Sequence, residues 1–142
     1  MTTSSIITSA MQAAVGAVGE RQTVDIERGA ILRFAAAIGD ANPAYPDRAP
    51  PTFLRSLGRA VPDLPDADSV PRALDGGSQW TYGPPVRAGD TVEITTTLDS
   101  IKEAQGKLGA MVIADYATRY VNQHGETVAT QRNTVIRMGV LA

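Results

Sequence analysis

The sequence predicts a single α+β domain, with a helix in its first half and antiparallel strands in its second. The chain has 142 residues, a length that suits one domain with one core. Apolar residues recur with a helical period around residue 31, and from residue 77 onward they alternate. A helical half followed by a strand-rich half is typical of the α+β class.

The composition excludes several classes of function. The net charge is −2, and the basic residues form no stripe interleaved with aromatic residues, which argues against a nucleic-acid partner. The absence of cysteine excludes disulfides and thiolate chemistry, and it fits a reducing cytoplasm. One histidine and no cysteine argue against a zinc site, and the sequence suggests no cofactor.

The first 20 residues are apolar in their middle but carry no basic segment typical of a signal peptide. No uncharged apolar run reaches about 18 residues, so a membrane span is not expected. We interpret residues 1–20 as an N-terminal helical extension that covers an edge of the core of a domain spanning residues 1–142.

The clearest helix is predicted over residues 28–38, RGAILRFAAAI. Its apolar residues fall at i, i+3, i+4 and i+7, which places them on one stripe: Ile31, Phe34, Ala35 and Ile38. Asp25 is the predicted N-cap and Gly39 the predicted residue after the C-cap. Four prolines then end regular structure within residues 43–51. A short helix is predicted over 53–59 with Thr52 as its cap, and residues 61–77 are predicted as a loop.

Three long strands are predicted after a short strand, SQWTY. Alternation predicts that one face holds Val92, Ile94, Thr96, Leu98, Val112, Ala114, Tyr116, Thr118 and Tyr120. The turn NQHGE, with Gly125 at positive φ, joins the last two strands into an antiparallel meander. A long helix and a curved antiparallel sheet suggest the hot-dog arrangement, in which the sheet wraps the helix. The other sheet face is mixed in polarity, which leaves room for a partner subunit.

The stretch GDANPAYPD follows the predicted helix and brings three polar side chains into one loop: Asp40, Asn42 and Tyr45. An acid, an amide and a phenol so close together are typical of an active site. The alternative is that Asp40 and Asn42 satisfy backbone groups after the helix, a common use of such residues in turns.

Four stretches of the chain resemble the MaoC-type hot-dog family, in particular the dehydratase N-terminal domain of fatty-acid-synthase type and the accessory subunits of (3R)-hydroxyacyl-ACP dehydratases. They are ILRFAAAIGDANPAYPD, RAPPTFL, GSQWTYGPPVRAGDTVEITTTLDSIKEAQGKLG and YVNQHGETVATQRNTVIRM. The resemblance implies the reversible dehydration of an (R)-3-hydroxyacyl thioester. Active members carry an Asp and a His in a pattern like DxNPxH, and Asp40, Asn42 and Pro43 match it. The histidine position holds Tyr45.

A second departure concerns the thioester oxygen. Active members have a His-Gly pair at the start of the next helix, whose backbone amide binds that oxygen, and Thr52 and Phe53 stand there in this chain. Tyrosine titrates near 10, so Tyr45 is a poor base beside histidine. The resemblance thus implies Asp40 and Tyr45 as the catalytic-type pair and Asn42, Pro43, Thr52 and Phe53 as substrate-binding positions, in a site that has lost its histidine.

Our interpretation is the non-catalytic, acyl-chain-binding subunit of an (R)-specific dehydratase or hydratase, paired with an active hot-dog subunit. One alternative is a self-sufficient homodimeric enoyl-CoA hydratase that uses Asp40, and the other is a non-enzymatic acyl-thioester-binding protein. The substrate would be an acyl-CoA or acyl-ACP thioester. Its carrier would need basic contacts, for which Arg87, Lys102 and Lys107 are candidates, although solvated strand ends explain these residues better.

Two further residues have a predicted place. His124, the only histidine, is expected as a solvated residue of the NQHGE turn, far from the loop at Asp40. Arg132 is predicted by strand alternation to point inward. There it would pair with an acid such as Asp115, or face a partner or a phosphate.

Overall fold

The computed structural model describes residues 5–139. It contains two α-helices, α1 (Ser9–Ala13) and α2 (Arg28–Ala37), and five strands, β1 (Gln22–Asp25), β2 (Arg72–Tyr82), β3 (Thr91–Gly106), β4 (Gly109–Val121) and β5 (Thr127–Met138). Two short 3-10 helices, Pro51–Leu57 and Ala67–Ser69, lie between α2 and β2. Within residues 5–139, no helix is both long and apolar enough to cross a membrane.

The strands form one antiparallel sheet in the order β1-β3-β4-β5-β2. The predicted meander of β3, β4 and β5 is confirmed, and so is the turn at Gly125, whose φ is 76°. The short edge strand β1 was not predicted. The helix α2 packs on the inner face of this sheet through Ile31, which is fully buried with residues of β3, β4 and β5. This is the hot-dog arrangement that the sequence predicts.

The predicted inner face is confirmed, since all nine residues assigned to it on β3 and β4 are at most 3% exposed. They divide into two apolar clusters. One surrounds α2 and includes Ile94 and Tyr120, and the other packs against α1 and includes Leu98 and Tyr116. A band of buried polar side chains crosses the sheet between the clusters: Thr96, Thr118, Gln131 and Asn133.

The helix α2 begins at the predicted residue and ends at Ala37, one residue earlier than predicted, with Gly39 following the C-cap as predicted. Gly39 has a φ of 69° and donates its N–H to the carbonyl of Ala36, while the N–H of Asp40 reaches the carbonyl of Ala35. This pair of bonds is the Schellman motif. Ile38 was predicted in the buried stripe but is 49% exposed, because the helix has already ended at Ala37.

The predicted caps Asp25 and Thr52 are both wrong. Asp25 is the last residue of β1 and accepts a hydrogen bond from the Thr91 hydroxyl, so α2 begins later, after Glu27. The second predicted helix is a 3-10 helix preceded by Pro50, and no side chain caps it. Proline in its first turn removes an N–H that a cap would otherwise have to satisfy.

The N-terminal extension contains less helix than predicted. Residues 1–4 lie outside the described part, and α1 covers only Ser9–Ala13, capped by the Thr8 hydroxyl. Beyond α1 the backbone turns along β3, where Gly16 and Gly19 donate their N–H groups to the carbonyls of Leu98 and Thr96. The segment therefore covers the edge of β3 as an extended chain, with Met11 of α1 fully buried against the sheet.

The loop predicted over 61–77 ends earlier than expected, since β2 begins at Arg72. Its Asp-Gly-Gly stretch looks like a turn but forms a bulge, in which Asp75 and Gly77 oppose consecutive residues of β5. A Cβ at Gly76 would lie 3.0 Å from Cγ2 of Thr134, so glycine lets the strands approach here. Nine of the eleven residues of β2 are exposed, and its outer edge pairs with no strand within residues 5–139.

The inward orientation predicted for Arg132 is wrong. Val128 and Ala129 are both buried, because the pairing of β4 with β5 skips Val128 and the alternation shifts by one residue. Arg132 consequently lies on the outer face, where its guanidinium is 2.8 Å from Oδ2 of Asp99. Asp115, its predicted partner, instead accepts a hydrogen bond from the Thr134 hydroxyl.

Candidate functional site

The loop after α2 places Asp40, Asn42 and Tyr45 together, as the sequence predicts. The Schellman motif turns the chain sharply at Gly39 and leaves the Asp40 side chain at the start of the loop. One carboxylate oxygen of Asp40 accepts the N–H of Asn42 at 3.1 Å, and the other accepts the Tyr45 hydroxyl at 2.9 Å. The carbonyl oxygen of the Asn42 side chain accepts the N–H of Ala44 at 2.9 Å. Asp40 and Asn42 therefore act as turn residues, and Asp40 in addition pairs with Tyr45.

The proton of Tyr45 stays on its hydroxyl at neutral pH. Partial burial raises the pKa of Tyr45. The hydrogen bond to Asp40 and the negative charge of the Asp40 carboxylate raise this pKa further, whereas the positive charge of Arg48 lowers it. A phenol with a raised pKa donates hydrogen bonds and does not accept protons near neutrality. The carboxylate of Asp40 has its two oxygens directed at Asn42 and Tyr45, and no histidine of the described chain lies in this loop.

A concave pocket of about 410 Å³ opens beside Tyr45. Its walls are mostly apolar and include four prolines, which makes the backbone around it stiff. The polar groups at its lining are those of Asn42, Tyr45, Arg48 and Tyr82. Asp40 and Pro43 lie outside this pocket and line a shallower concavity on the α2 side of the loop, shared with Asn42 and Tyr45.

Thr52 and Phe53 lie in the first turn of the 3-10 helix, where the thioester oxygen is predicted to bind. The N–H of Phe53 is donated to the carbonyl of Pro50 at 2.9 Å, so this amide is already used. The Phe53 ring is 3% exposed and packs edge-on against Phe34, with ring centroids 5.6 Å apart. Phe53 is therefore a core residue, whereas Thr52 is exposed at a second cleft.

This second cleft, the β2 cleft, has a volume of about 530 Å³ and lies between the end of α2, the 3-10 helix and β2. It is lined by Phe34, Ile38, Thr52, Arg55, Ser56, Ser78, Trp80 and Tyr82. The Trp80 and Tyr82 rings are stacked, with centroids 5.9 Å apart and an interplanar angle of 8°. Trp80 also contacts Tyr120 of the inner face, so the aromatic wall continues into the core.

Sequence reasoning missed Arg59. Its guanidinium donates to Oε1 of Gln131 and Oδ1 of Asn133, at 2.7 Å each, on the inner face of β5. Its burial lowers its pKa from the usual arginine value, although Asp75 and the two nearby tyrosines partly oppose this. The sequence does place two amides, Gln131 and Asn133, at i and i+2 on one face of β5, where they can bind an arginine. The bulge at Val128 shifts the alternation, so the sequence does not reveal that this is the inner face of the sheet.

The remaining candidates lie outside these pockets. His124 is exposed in the turn, where its N–H is donated to the Asn122 side chain, as expected. Lys102 is exposed in β3 and Lys107 in the turn after it. Arg87 is also exposed, and its guanidinium lies 3.4 Å from the carbonyl of Asp47 in the proline-rich loop.

Comparison with known proteins agrees with this architecture. The chain is 33% identical over 123 residues to a UPF0336 protein of Streptomyces coelicolor, covering 75% of this chain and 79% of that one. Its fold is similar to the ChsH1-ChsH2 complex from Mycobacterium tuberculosis, with a TM-score of 0.74 at 19% identity, over 93% of this chain and 89% of that one. It is also similar to the MaoC-like dehydratase from Rhodospirillum rubrum, with a TM-score of 0.66 at 19% identity, over 89% and 94% of the two chains.

The sequence profile of one family matches residues 13–131, which is most of the chain. That family is described as the FAS1-like dehydratase domain region. The match includes α2, the loop with Asp40 and Tyr45, and four of the five strands in full. The chain therefore belongs to the FAS1-like dehydratase domain family, and it shares its hot-dog fold with the MaoC-like dehydratase.

Proposed function

We propose that this chain is the non-catalytic, acyl-binding subunit of an (R)-specific 3-hydroxyacyl-thioester dehydratase or enoyl-thioester hydratase, and that an active hot-dog chain is its partner. The observation that carries the proposal is the 2.9 Å hydrogen bond from the Tyr45 hydroxyl to Asp40. It puts a protonated phenol at the position where the resemblance implies a histidine base.

The chemistry of the reaction explains why this substitution matters. Adding water to an enoyl thioester requires a base that takes a proton from water and an acid that protonates the α-carbon. Histidine performs such transfers near pH 7, whereas the raised pKa of Tyr45 keeps its proton in place. The enolate oxygen also needs aligned donors, and the N–H of Phe53 is already donated to Pro50. Both catalytic requirements would therefore be met by the partner.

The free edge of β2 supports a partner. An eleven-residue edge strand with exposed residues on both faces presents unpaired backbone groups, which proteins normally cover. Leu74 is 50% and Tyr82 46% exposed on this strand. A hot-dog partner adding its own edge strand here would continue the sheet and close the β2 cleft. The similar ChsH1-ChsH2 structure is, by its description, a complex of two different chains.

The two pockets support acyl binding. The pocket beside Tyr45 and the β2 cleft both have mainly apolar walls, and Tyr82 lines both of them. An acyl chain and a thioester arm require a largely apolar, concave surface with few polar groups. We assign this chain the role of holding the acyl part, carried as acyl-CoA or acyl-ACP, while the partner supplies the Asp and His. Asn42 and Thr52 would contact the thioester from the rims of these pockets, and Pro43 would contact it from the neighbouring concavity on the α2 side of the loop.

One observation favours a second candidate, a self-sufficient homodimeric hydratase. Asp40 and Tyr45 together form an acid and a proton donor in direct contact at the edge of a concave surface. In that case Asp40 would orient water and Tyr45 would protonate the substrate. The purified chain would then turn over enoyl-CoA without any partner.

The test is hydration of crotonyl-CoA and of a longer enoyl-CoA, followed by the loss of enoyl-thioester absorbance. It is made with the chain alone, with a hot-dog protein from the same genome that retains both Asp and His, and with the two together. The proposal expects turnover only with the partner present, and a higher rate on the longer substrate when both chains are present. Turnover by this chain alone would support the homodimeric enzyme.

A further inference from the structure

The guanidinium of Arg59 is held on the inner face of the sheet by the uncharged side-chain amides of Gln131 and Asn133. Its Nη1 and Nη2 each donate one hydrogen bond of 2.7 Å, to the side-chain oxygens of Gln131 and Asn133. Gln131 is 1% and Asn133 6% exposed, so both acceptors are buried. A guanidinium has five N–H donors, and its three others meet no acceptor within residues 5–139. The described residues also form no salt bridge with Arg59.

The strand β2 determines which way the two amides point. The NH₂ group of Gln131 donates to the Ser78 hydroxyl at 2.9 Å. The NH₂ group of Asn133 is shared among the Asp75 carboxylate, the Gly77 carbonyl and the Ser78 hydroxyl, at 3.1 to 3.3 Å. Because their donors are engaged toward β2, both amides present their oxygens to Arg59. The arginine is therefore held in one orientation before any ligand arrives.

This network borders the β2 cleft. Ser78 lines the cleft and also accepts hydrogen bonds from both amides. Arg55, which precedes Arg59 in the chain and lies in the 3-10 helix, lines the same cleft and makes no hydrogen bond or salt bridge through its side chain within residues 5–139. The opposite part of the lining is apolar and aromatic, with Phe34, Ile38 and Trp80. The cleft thus has an apolar wall and one cationic end.

The charges at this end do not balance. Arg55 lies near enough to Arg59 to lower its pKa by repulsion. The one carboxylate that acts on both arginines is Asp75, and the N–H of Gly77 holds the pKa of Asp75 below its usual range, so it stays ionised. Two guanidiniums and one carboxylate leave one positive charge. Arg59 is half-buried while Arg55 and Asp75 are exposed, so this excess positive charge stays partly in solvent and favours an anionic ligand beside it.

We propose that the β2 cleft takes an acyl group whose far end carries a carboxylate, that Arg55 in the cleft lining binds this carboxylate, and that the positive charge of the neighbouring Arg59 strengthens the binding. The inference rests on the proposed function, because it assumes that the cleft holds the acyl part of a thioester, and it adds the substrate class. The aromatic wall of Trp80 and Tyr82 would contact the methylene chain. Arg55 and the Ser78 hydroxyl line the cleft and would bind the carboxylate oxygens, as arginine does in charge-assisted pairs. Arg59, which is linked to Ser78 through Gln131, would add its positive charge from beside the cleft.

The experiment compares two pantetheine thioesters of equal chain length, S-hexanoyl and S-(5-carboxypentanoyl), which differ only in a terminal methyl or carboxylate. Pantetheine carries no phosphate, so the carrier adds no charge of its own. The chain has a single tryptophan, and Trp80 lines the cleft, so its fluorescence reports binding directly. The wild-type chain is expected to bind the carboxylated thioester about tenfold more tightly.

Three variants identify the residues responsible. Arg59→Met retains an apolar stem but removes the charge, and it should bring the two affinities to within about twofold of each other. It also leaves the oxygens of Gln131 and Asn133 without a donor, so Arg55→Gln, at an exposed position, provides a second test that does not disturb the fold. Arg132→Gln is the control, because Arg132 lies on the outer face and pairs with Asp99.

Each outcome has one meaning. Equal affinity of the wild-type chain for the two thioesters would overturn this inference and leave the proposed acyl-binding role intact. The same conclusion would follow if both Arg55→Gln and Arg59→Met kept the full preference. Binding of neither thioester would overturn the proposed function and this inference together. A preference that Arg55→Gln or Arg59→Met reduces, and that Arg132→Gln retains, would support it.

Discussion

The Tyr45 hydroxyl lies 2.9 Å from Oδ2 of Asp40 and donates a hydrogen bond to that oxygen. In an active site of this type the carboxylate and a histidine would share the work on a water molecule. Here the contact joins a carboxylate to a phenol whose proton is held by the raised pKa of Tyr45. The pair is well suited to shape a loop and poorly suited to transfer protons at neutral pH.

The first prediction concerns Asp40 in the complex with an active partner. Asp40→Asn keeps the size of the side chain and removes its charge. The proposed function assigns the chemistry to the other subunit, so kcat should stay within about twofold of the wild-type complex. Steady-state hydration kinetics of the reconstituted complex measure this. The control is the same substitution at the partner's own catalytic aspartate, which should abolish turnover. A large loss of kcat in Asp40→Asn would place Asp40 in the mechanism.

The second prediction concerns the free edge of β2. Leu74 is half exposed near the start of this strand, so Leu74→Lys should leave the folded chain unchanged and weaken association with the partner by roughly tenfold. Light scattering over a concentration series measures the association. Leu108, 61% exposed in the turn between β3 and β4, offers a matched control in Leu108→Lys. Equal weakening by both variants would remove β2 as the specific contact.

The third prediction separates backbone conformation from packing at two glycines. Gly39 has a φ of 69° and open space around its Cβ position, so Gly39→Ala should destabilise the chain by about 1 kcal/mol through backbone strain alone. Gly29 lies inside α2, and an added Cβ would meet only the end of the Arg33 side chain at 3.0 Å. Because that end can move, Gly29→Ala should stabilise the chain slightly. Urea unfolding midpoints of the two variants should therefore shift in opposite directions.

The fourth prediction concerns the buried polar band. The hydroxyls of Thr96 and Thr118 are 2.8 Å apart, and each residue is 1% exposed. Thr118→Val should cost about 1–3 kcal/mol of unfolding free energy, because it leaves the Thr96 hydroxyl buried without its partner. The double variant with Thr96→Val should cost less than the two single costs added together. Thr130→Val, at an exposed position of β5, controls for the valine itself, and simple additivity would contradict the account.

The strands β3, β4 and β5 could be predicted because their alternation is local and regular. Every second residue of a strand lies on the same face, which places residues such as Val92 and Tyr116 on the inner face. The loop chemistry could also be predicted, since Gly39 and Asp40 carry the signals of a helix end. The contact between Asp40 and Tyr45 follows from their closeness in sequence.

What the sequence did not reveal depends on long-range pairing. The first half of β2 resembles a loop because Asp75 and Gly76 are typical of turns, and only pairing with β5 makes it a strand. A single skipped residue, Val128, reversed the face assigned to Arg132 and hid the amides that bind Arg59. Neither the bulge nor the contact across 72 residues between Arg59 and Gln131 has a local signature.

The most direct test of the central claim is the hydration rate of crotonyl-CoA by the purified chain, measured alone and after mixing with its active hot-dog partner. The account predicts no turnover by the chain alone, because Tyr45 replaces the base beside Asp40, and turnover when the partner is added. Sustained turnover by the chain alone that Asp40→Asn abolishes would contradict it and identify this protein as a complete enzyme.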